Sequence, residues 1–200
     1  MKVLKRGTPA TEPITLEQAR DFLRLDTFGS PATHPDDALI TVFISAARSW
    51  CETYMNHSIP YRTVTATYDK FSGDYLDLQE WPVTSVDSVT YVDSDGVTQT
   101  WDSSNYVLDS VSVPCRLYRA VGVDWPNTQS QINVVNVQFN AGYTDTISPN
   151  DYPTPTEVTH GIYLMLAHFY ENRQQVGKKL ESMPYGVESL IHPHRINLGV

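Results

Sequence analysis

Cysteine is almost missing from this chain. Its 200 residues include two, Cys51 and Cys115, too few for a disulfide framework. One falls in an expected helix and the other in an expected β region, so two reduced thiols in a cytosol-like compartment are expected. Long apolar runs are missing as well. None approaches the ~20 residues that cross a bilayer, so no membrane partner is expected. The first residues, MKVLKRGTPATEP, are basic without an apolar segment behind them, unlike a secretory signal. Positive charge is scarce in the middle. Residues 63–155 hold three cations (Lys70, Arg116 and Arg119) against twelve acids, which is the whole of the net charge of −9. A middle so poor in Lys and Arg is not built to hold phosphates.

The familiar catalytic patterns are also absent. There is no G-x-S-x-G turn and nothing around Cys51 to activate a thiol. The glycines at 142, 161, 177 and 186 form no phosphate loop. His160 and His168 are eight apart on one expected helix, ~12 Å apart along its axis and ~80° apart in direction, so one ion cannot take both. His168 and Glu171 can face together, but HFYE lacks the second histidine of a zincin helix. His192 and His194 have no Cys or acid at ligand spacing. Asp93-x-Asp95-Gly96 looks a little like a calcium loop, with the glycine too early and no closing Glu. No metal, no cofactor and no catalytic residue is expected.

What the chain does have is one long apolar helix, expected over 155–175. Thr154 is placed to cap it, Pro155 suits its first turn, and Glu157 stands where a capping box needs it. Val158, Ile162, Met165, Leu166 and Phe169 make one apolar face. Tyr163, Leu164, Ala167 and Tyr170 extend it around most of the circumference, the pattern of a helix buried on more than one side. Nearer the start, residues 1–13 read as a loose arm. Thr15 and Gln18 then form a capping box for a short helix, TLEQARDFLRL. A loop over 26–35 leads to a second helix from about Asp36. Its stripe is Leu39, Ile40, Phe43, Ala46, Ala47, Trp50 and Tyr54, and Asn56 is its C-cap. Arg48 and Glu52 are expected to pair on its outer face.

After Pro60 the period changes to two. Strands are expected at 63–71, 74–78, 85–93, 97–101, 105–109, 116–120 and 134–143, with a hairpin at Asp95-Gly96, where glycine accepts a positive φ. The fold class is therefore α+β. A helical bundle domain, two N-terminal helices plus the long C-terminal one, carries an inserted antiparallel β-sandwich or barrel. The expected divisions are 1–62 helical, 63–144 β, 145–155 linker, 156–181 long helix and 182–200 tail. Gly177 is the expected stop of the long helix. The end, RINLGV, is apolar with no sheet to join, as in tails that fray or dock on a partner. Read as detached, residues 187–200 are expected to be removable without loss of the fold.

Taken in order, these segments resemble the head–tail connector (adaptor, or head-completion) proteins of long-tailed bacteriophages. The resemblance is carried by ITLEQARDFLRLD and DDALITVFISAARSWCETYMN, then by WPVTSVDSVTYVDSDGVTQTWDSSNYVLD, by VNVQFNAGY leading into IYLMLAHFYENRQQVG, and by MPYGVESLIHPHR at the close. It implies a virion protein of the neck, assembled in the host cytoplasm and without catalysis. It implies a closed ring of about a dozen copies below the portal, extending a channel through which DNA passes without specific binding. The portal protein and a tail-side completion or tail terminator protein are its implied partners. On this reading Leu190, Ile191, Pro193, Arg195, Ile196 and Leu198 form a portal-docking tail. Tyr163, Ala167, Tyr170 and Arg173 form a subunit interface, and Asp87, Asp93, Asp95 and Asp102 are acids facing the lumen or the tail. The alternative is a tail-tip or fibre-associated β module that binds a host glycan through Trp81, Trp101 or Trp125. A metallo-hydrolase using His168 and Glu171 is the third class.

Overall fold

The computed structural model describes residues 2–144, 152–173 and 185–197. They fall into two compact units. One draws on 1–10, 60–153 and 196–200, the other on 11–59 and 154–195.

The β unit is built from two antiparallel sheets. Strands β1 (Lys2–Arg6), β2 (Arg62–Tyr68), β3 (Tyr75–Asp77), β4 (Val83–Val92), β5 (Thr98–Trp101), β6 (Tyr106–Asp109), β7 (Arg116–Arg119) and β8 (Val135–Ala141) follow in chain order. Five form one sheet in the order β1-β2-β8-β4-β5, and three form a second, β3-β7-β6. Neither closes on itself, so the barrel alternative is corrected to two open sheets. Strict alternation explains the central strand. In β8, Val135, Val137, Phe139 and Ala141 are all fully buried, while Gln138 is exposed. Residues of one strand that alternate this way line one face of a sheet. Leu76 and Leu117 of the small sheet and Val64, Ala66 and Val89 of the large one share the same core with them. On the other face, Asn140 joins neighbouring strands by accepting from Thr63 (3.0 Å) and donating to Asp87 (2.7 Å).

Where a loose arm was expected, residues 2–6 form the edge strand β1, paired antiparallel with β2 from Lys2↔Tyr68 to Arg6↔Val64. Leu4 packs on the core, and Arg6 bonds the fully buried Glu80 at 2.5 Å. Five residues with three cations show too little alternation to read as a strand. Tertiary pairing decides it.

The second unit holds α1 (Leu16–Leu23), α2 (Asp37–Met55), α3 (Thr156–Glu171) and α4 (Tyr185–Ile191), the last running into one 3-10 turn, His192–His194. The Thr15–Gln18 capping box is present in both directions, and Asn56 ends α2 in the left-handed conformation at φ 62°. The buried face of α2 is rotated from the expected stripe. Ile40, Ile44, Ala47, Cys51 and Met55 are fully or almost fully buried, while Phe43, Trp50 and Tyr54 are half-buried shoulders. Arg48 and Glu52 do pair, at 2.8 Å, but not on an outer face: both are largely buried, and Arg48 also binds Glu12. Glu52 Oε1 accepts the Ile59 N–H, which gives an acid on the core side its partner. Helix α3 begins one residue later than expected. Its N-cap residue is Pro155 rather than Thr154, and the Pro155 carbonyl accepts from Val158 and Thr159. The expected helix end at Gly177 and most of the 145–155 linker lie outside the described residues.

Candidate functional site

The α3 residues expected to meet another subunit also make contacts within their own chain, and they stay half-buried or, at Arg173, exposed. Tyr163 stacks on Phe22 of α1 with ring centroids 4.7 Å apart. Tyr170 donates its hydroxyl to Asp36 (2.8 Å), Arg173 binds the same carboxylate oxygen (2.7 Å), and the Arg173 guanidinium lies 3.8 Å over the Tyr170 ring. The Asp36 carboxyl is held below its ordinary pKa, first by the Tyr170 hydroxyl and then by Arg173. Ala167 is half-buried. The arrangement fastens the end of α3 to the start of α2.

The tail is fastened too. Val187 and Ile191 of α4 are fully buried. A Cβ on Gly161 would stand 2.7 Å from Ile191 Cγ2, so α4 lies directly on the α3 backbone at the one helical position without a side chain. His192 Nδ1 meets the Tyr54 hydroxyl at 3.1 Å, His57 Nε2 donates to the His194 carbonyl at 3.0 Å, and the Arg195 guanidinium lies 5.3 Å over the Tyr54 ring. Of the expected docking residues, Ile191 and Ile196 are buried and Leu190 is half-buried, while Pro193 and Arg195 are exposed. Leu198 lies outside the described residues. The expectation of a detached segment from 187 onward is therefore corrected. Apolar residues at 187 and 191, one helical turn apart, have a face of their own chain to cover.

The four acids have different local uses. Asp93 accepts from the backbone of Asp95 (3.0 Å) and Val97 (2.9 Å) and from Gln99 Nε2 (2.8 Å), so it builds the β4–β5 turn. Asp102 caps the 3-10 turn Ser103–Asn105 through Ser104. Both carboxyls are held below the ordinary range by these side-chain and backbone donors. Asp87 and Asp95 are exposed. Of the three cations in this region, Arg119 pairs with Asp74 and Asp124 and Arg116 lies over Tyr75.

The tryptophans are packing residues. Trp101 is 7% exposed. Trp125 stacks on Phe71 at 4.7 Å and donates its indole N–H to the Gly73 carbonyl at 2.7 Å. Trp81 meets Tyr143 and Tyr152 edge-on. Each of these rings packs against aromatic neighbours of its own chain. His168 Nδ1 faces Asn172, and Glu171 is exposed. Among the described residues no three His, Cys, Asp or Glu side chains gather to hold a metal ion, and no helix is long and apolar enough to cross a membrane. Burial pushes the Cys51 thiol up to about 12 and the Cys115 thiol to about 11, far from a reactive thiolate.

No family model and no curated protein matches the sequence. Solved structures do match its fold. A chain in the neck of an empty gene transfer agent particle, computed with C6 symmetry, superposes with a TM-score of 0.76 over 99% of this chain and 97% of that one, at 23% identity. A chain in the virion of a native gene transfer agent particle gives 0.75 over 98% and 97%, at 22% identity. A chain in the native neck computed with C12 symmetry gives 0.73 over 99% and 97%, at 22% identity. This is the fold of a particle-neck chain. The match runs through both units.

Sequence reading missed β1, the seating of α4 and the rotation of α2. Gly161 was the available signal for the second. A glycine inside an otherwise strong helix marks a close approach.

Proposed function

We propose that this protein is a structural component of the neck of a tailed, phage-like particle and joins the DNA-filled head to the tail. The observation that carries the reading is the end-to-end match to neck chains, in which both units participate. In this reading identical copies form a closed ring of about a dozen below the portal. The ring continues the channel through which DNA leaves, and a tail-side completion or terminator protein binds its other face. The function is mechanical, with no reaction at any of its residues. The acidic surface of the β unit, with Asp87 and Asp95 exposed, suits a wall that must not hold phosphates. Neighbouring copies meet along the α3 flank at Tyr163, Ala167, Tyr170 and Arg173, where rings pinned by Phe22 and Asp36 present a fixed surface. Portal docking falls to the exposed Pro193 and Arg195 and to Leu198, since Ile191 and Ile196 are buried.

The test is a nonsense mutation of the gene in the producing phage, followed by negative-stain electron microscopy. Filled or leaking heads beside free, complete tails are expected. Whole particles with normal necks that fail to adsorb would overturn the neck reading and favour a receptor-binding module.

A further inference from the structure

The helical unit carries an aromatic ledge with two nitrogen bases set on it. Trp50 and Tyr54, one turn apart on α2, stack with ring centroids 5.5 Å apart and planes at 19°. The turn after α4 brings His192 and Arg195 to the same rings. The Arg195 guanidinium lies 5.3 Å over the Tyr54 ring, and the His192 ring is 6.4 Å from it. Each group is held. The Tyr54 hydroxyl meets His192 Nδ1 at 3.1 Å, and the Arg195 backbone N–H donates to the His192 carbonyl at 3.1 Å. Trp50 and Tyr54 are half-buried, while His192, Pro193 and Arg195 are exposed. Trp, Tyr and Arg already fixed in place lose little freedom on binding, which is the composition and the property of an interface anchor.

The donors of this ledge are uncommitted. A phenol that donates to Nδ1 leaves the imidazole proton on Nε2. Among the described residues neither that N–H nor the Arg195 guanidinium meets a carboxylate or a carbonyl. Arg6, Arg20, Arg48, Arg119 and Arg173 each hold a carboxylate of their own chain. Arg195 holds none, in a chain with 23 acids and 14 Lys and Arg. A guanidinium lying on a ring keeps its edge N–H groups free to take both oxygens of one carboxylate. Nucleic acid fits less well, because a phosphate track needs clustered cations. The one cation of α2, Arg48, is already held by Glu12 and Glu52.

Resting on the docking role given to Pro193 and Arg195 above, we propose that this ledge binds an acidic peptide segment of the partner protein. A carboxylate of that segment is taken by the Arg195 guanidinium beside the His192 donor, and its apolar neighbours lie against Trp50 and Tyr54.

The test uses Arg195→Lys, which puts a primary amine where the guanidinium stood. Purified particles carrying that variant are treated with a carbodiimide, which joins an amine to an adjacent carboxylate as an amide with loss of water. Mass spectrometry of the digest is expected to find position 195 joined to an Asp or Glu of a different particle protein. A link to an acid of a second copy of this chain, or no link at 195 in particles that contain the variant, would overturn the proposal. Particles that lack the chain altogether would instead end the neck reading, and this inference with it. As a second variant, Arg195→Glu is expected to reduce the joining of heads to tails roughly tenfold or more, the loss of a charge-assisted contact, while the isolated chain melts at an unchanged temperature. Normal joining by that variant would overturn the proposal independently. So would a gel shift of duplex DNA by the unaltered chain that Arg195→Glu abolishes, since the ledge would then hold a phosphate.

Discussion

Gly142, which follows β8, has φ 107°, a conformation that side chains avoid. Its amide donates to the Pro82 carbonyl at 3.0 Å, and a Cβ there would be driven into the carbonyl of Pro60. Both obstacles are backbone, so no rotamer change relieves them. Gly142→Ala is expected to lower stability by about 2 kcal/mol or more, combining positive-φ strain with the displacement of the Pro60 strand end. A urea midpoint within error of the parent protein would show that the turn relaxes freely. The sequence showed this glycine as the end of a strand, NAGY. It could not show what lies against it, because Pro60 is more than eighty positions away.

Helix ends carry the electrostatics of the helical unit. The Asp37 carboxyl lies below its ordinary range, first because the Arg20 guanidinium bonds to it and next because the His34 N–H does. A depressed folded pKa means the pairing adds stability above the unfolded value of about 3.9. That contribution is lost as the pH falls through the lower folded value. An NMR titration is expected to place the Asp37 midpoint below 3.9 and to move it upward in Arg20→Ala. A midpoint indifferent to that substitution would separate the pair. The same unit sets the cost of losing α4. Val187 and Ile191 are fully buried, each worth roughly 1.5–3 kcal/mol relative to exposure. Removing 185–200 is therefore expected to lower the melting temperature and expose the α3 face around Gly161 to a hydrophobic dye. An unchanged melting curve would restore the detached tail that the sequence alone suggested.

At the scale of the whole molecule, the units were legible where periodicity is long and unbroken. The 3.6-residue pattern of α2 and α3 and the alternation of β2, β4 and β8 come from side chains that must all reach one face, so local order records the burial. Thr15 with Gln18, Asn56 and the Asp95-Gly96 turn were readable for a similar reason, since caps and turns satisfy backbone groups a few residues away. The candidate surfaces were less legible. Tyr163, Tyr170 and Arg173 look like free interface residues in a helix, and only the fold brings Phe22 and Asp36 to them. Trp101 and Trp125 look like a sugar platform until the fold packs them against each other and against Phe71. Sequence by itself determined the class of the chain, its α–β–α order and the acidity of its middle, because those depend on composition and local repeat. Tertiary structure alone decided that residues 2–6 pair with β2, that the sheets stay open, that α4 lies on Gly161 and that Arg195 lies over Tyr54. Each of these is a contact between distant positions. Its free energy comes from surfaces that become neighbours only after the chain has folded.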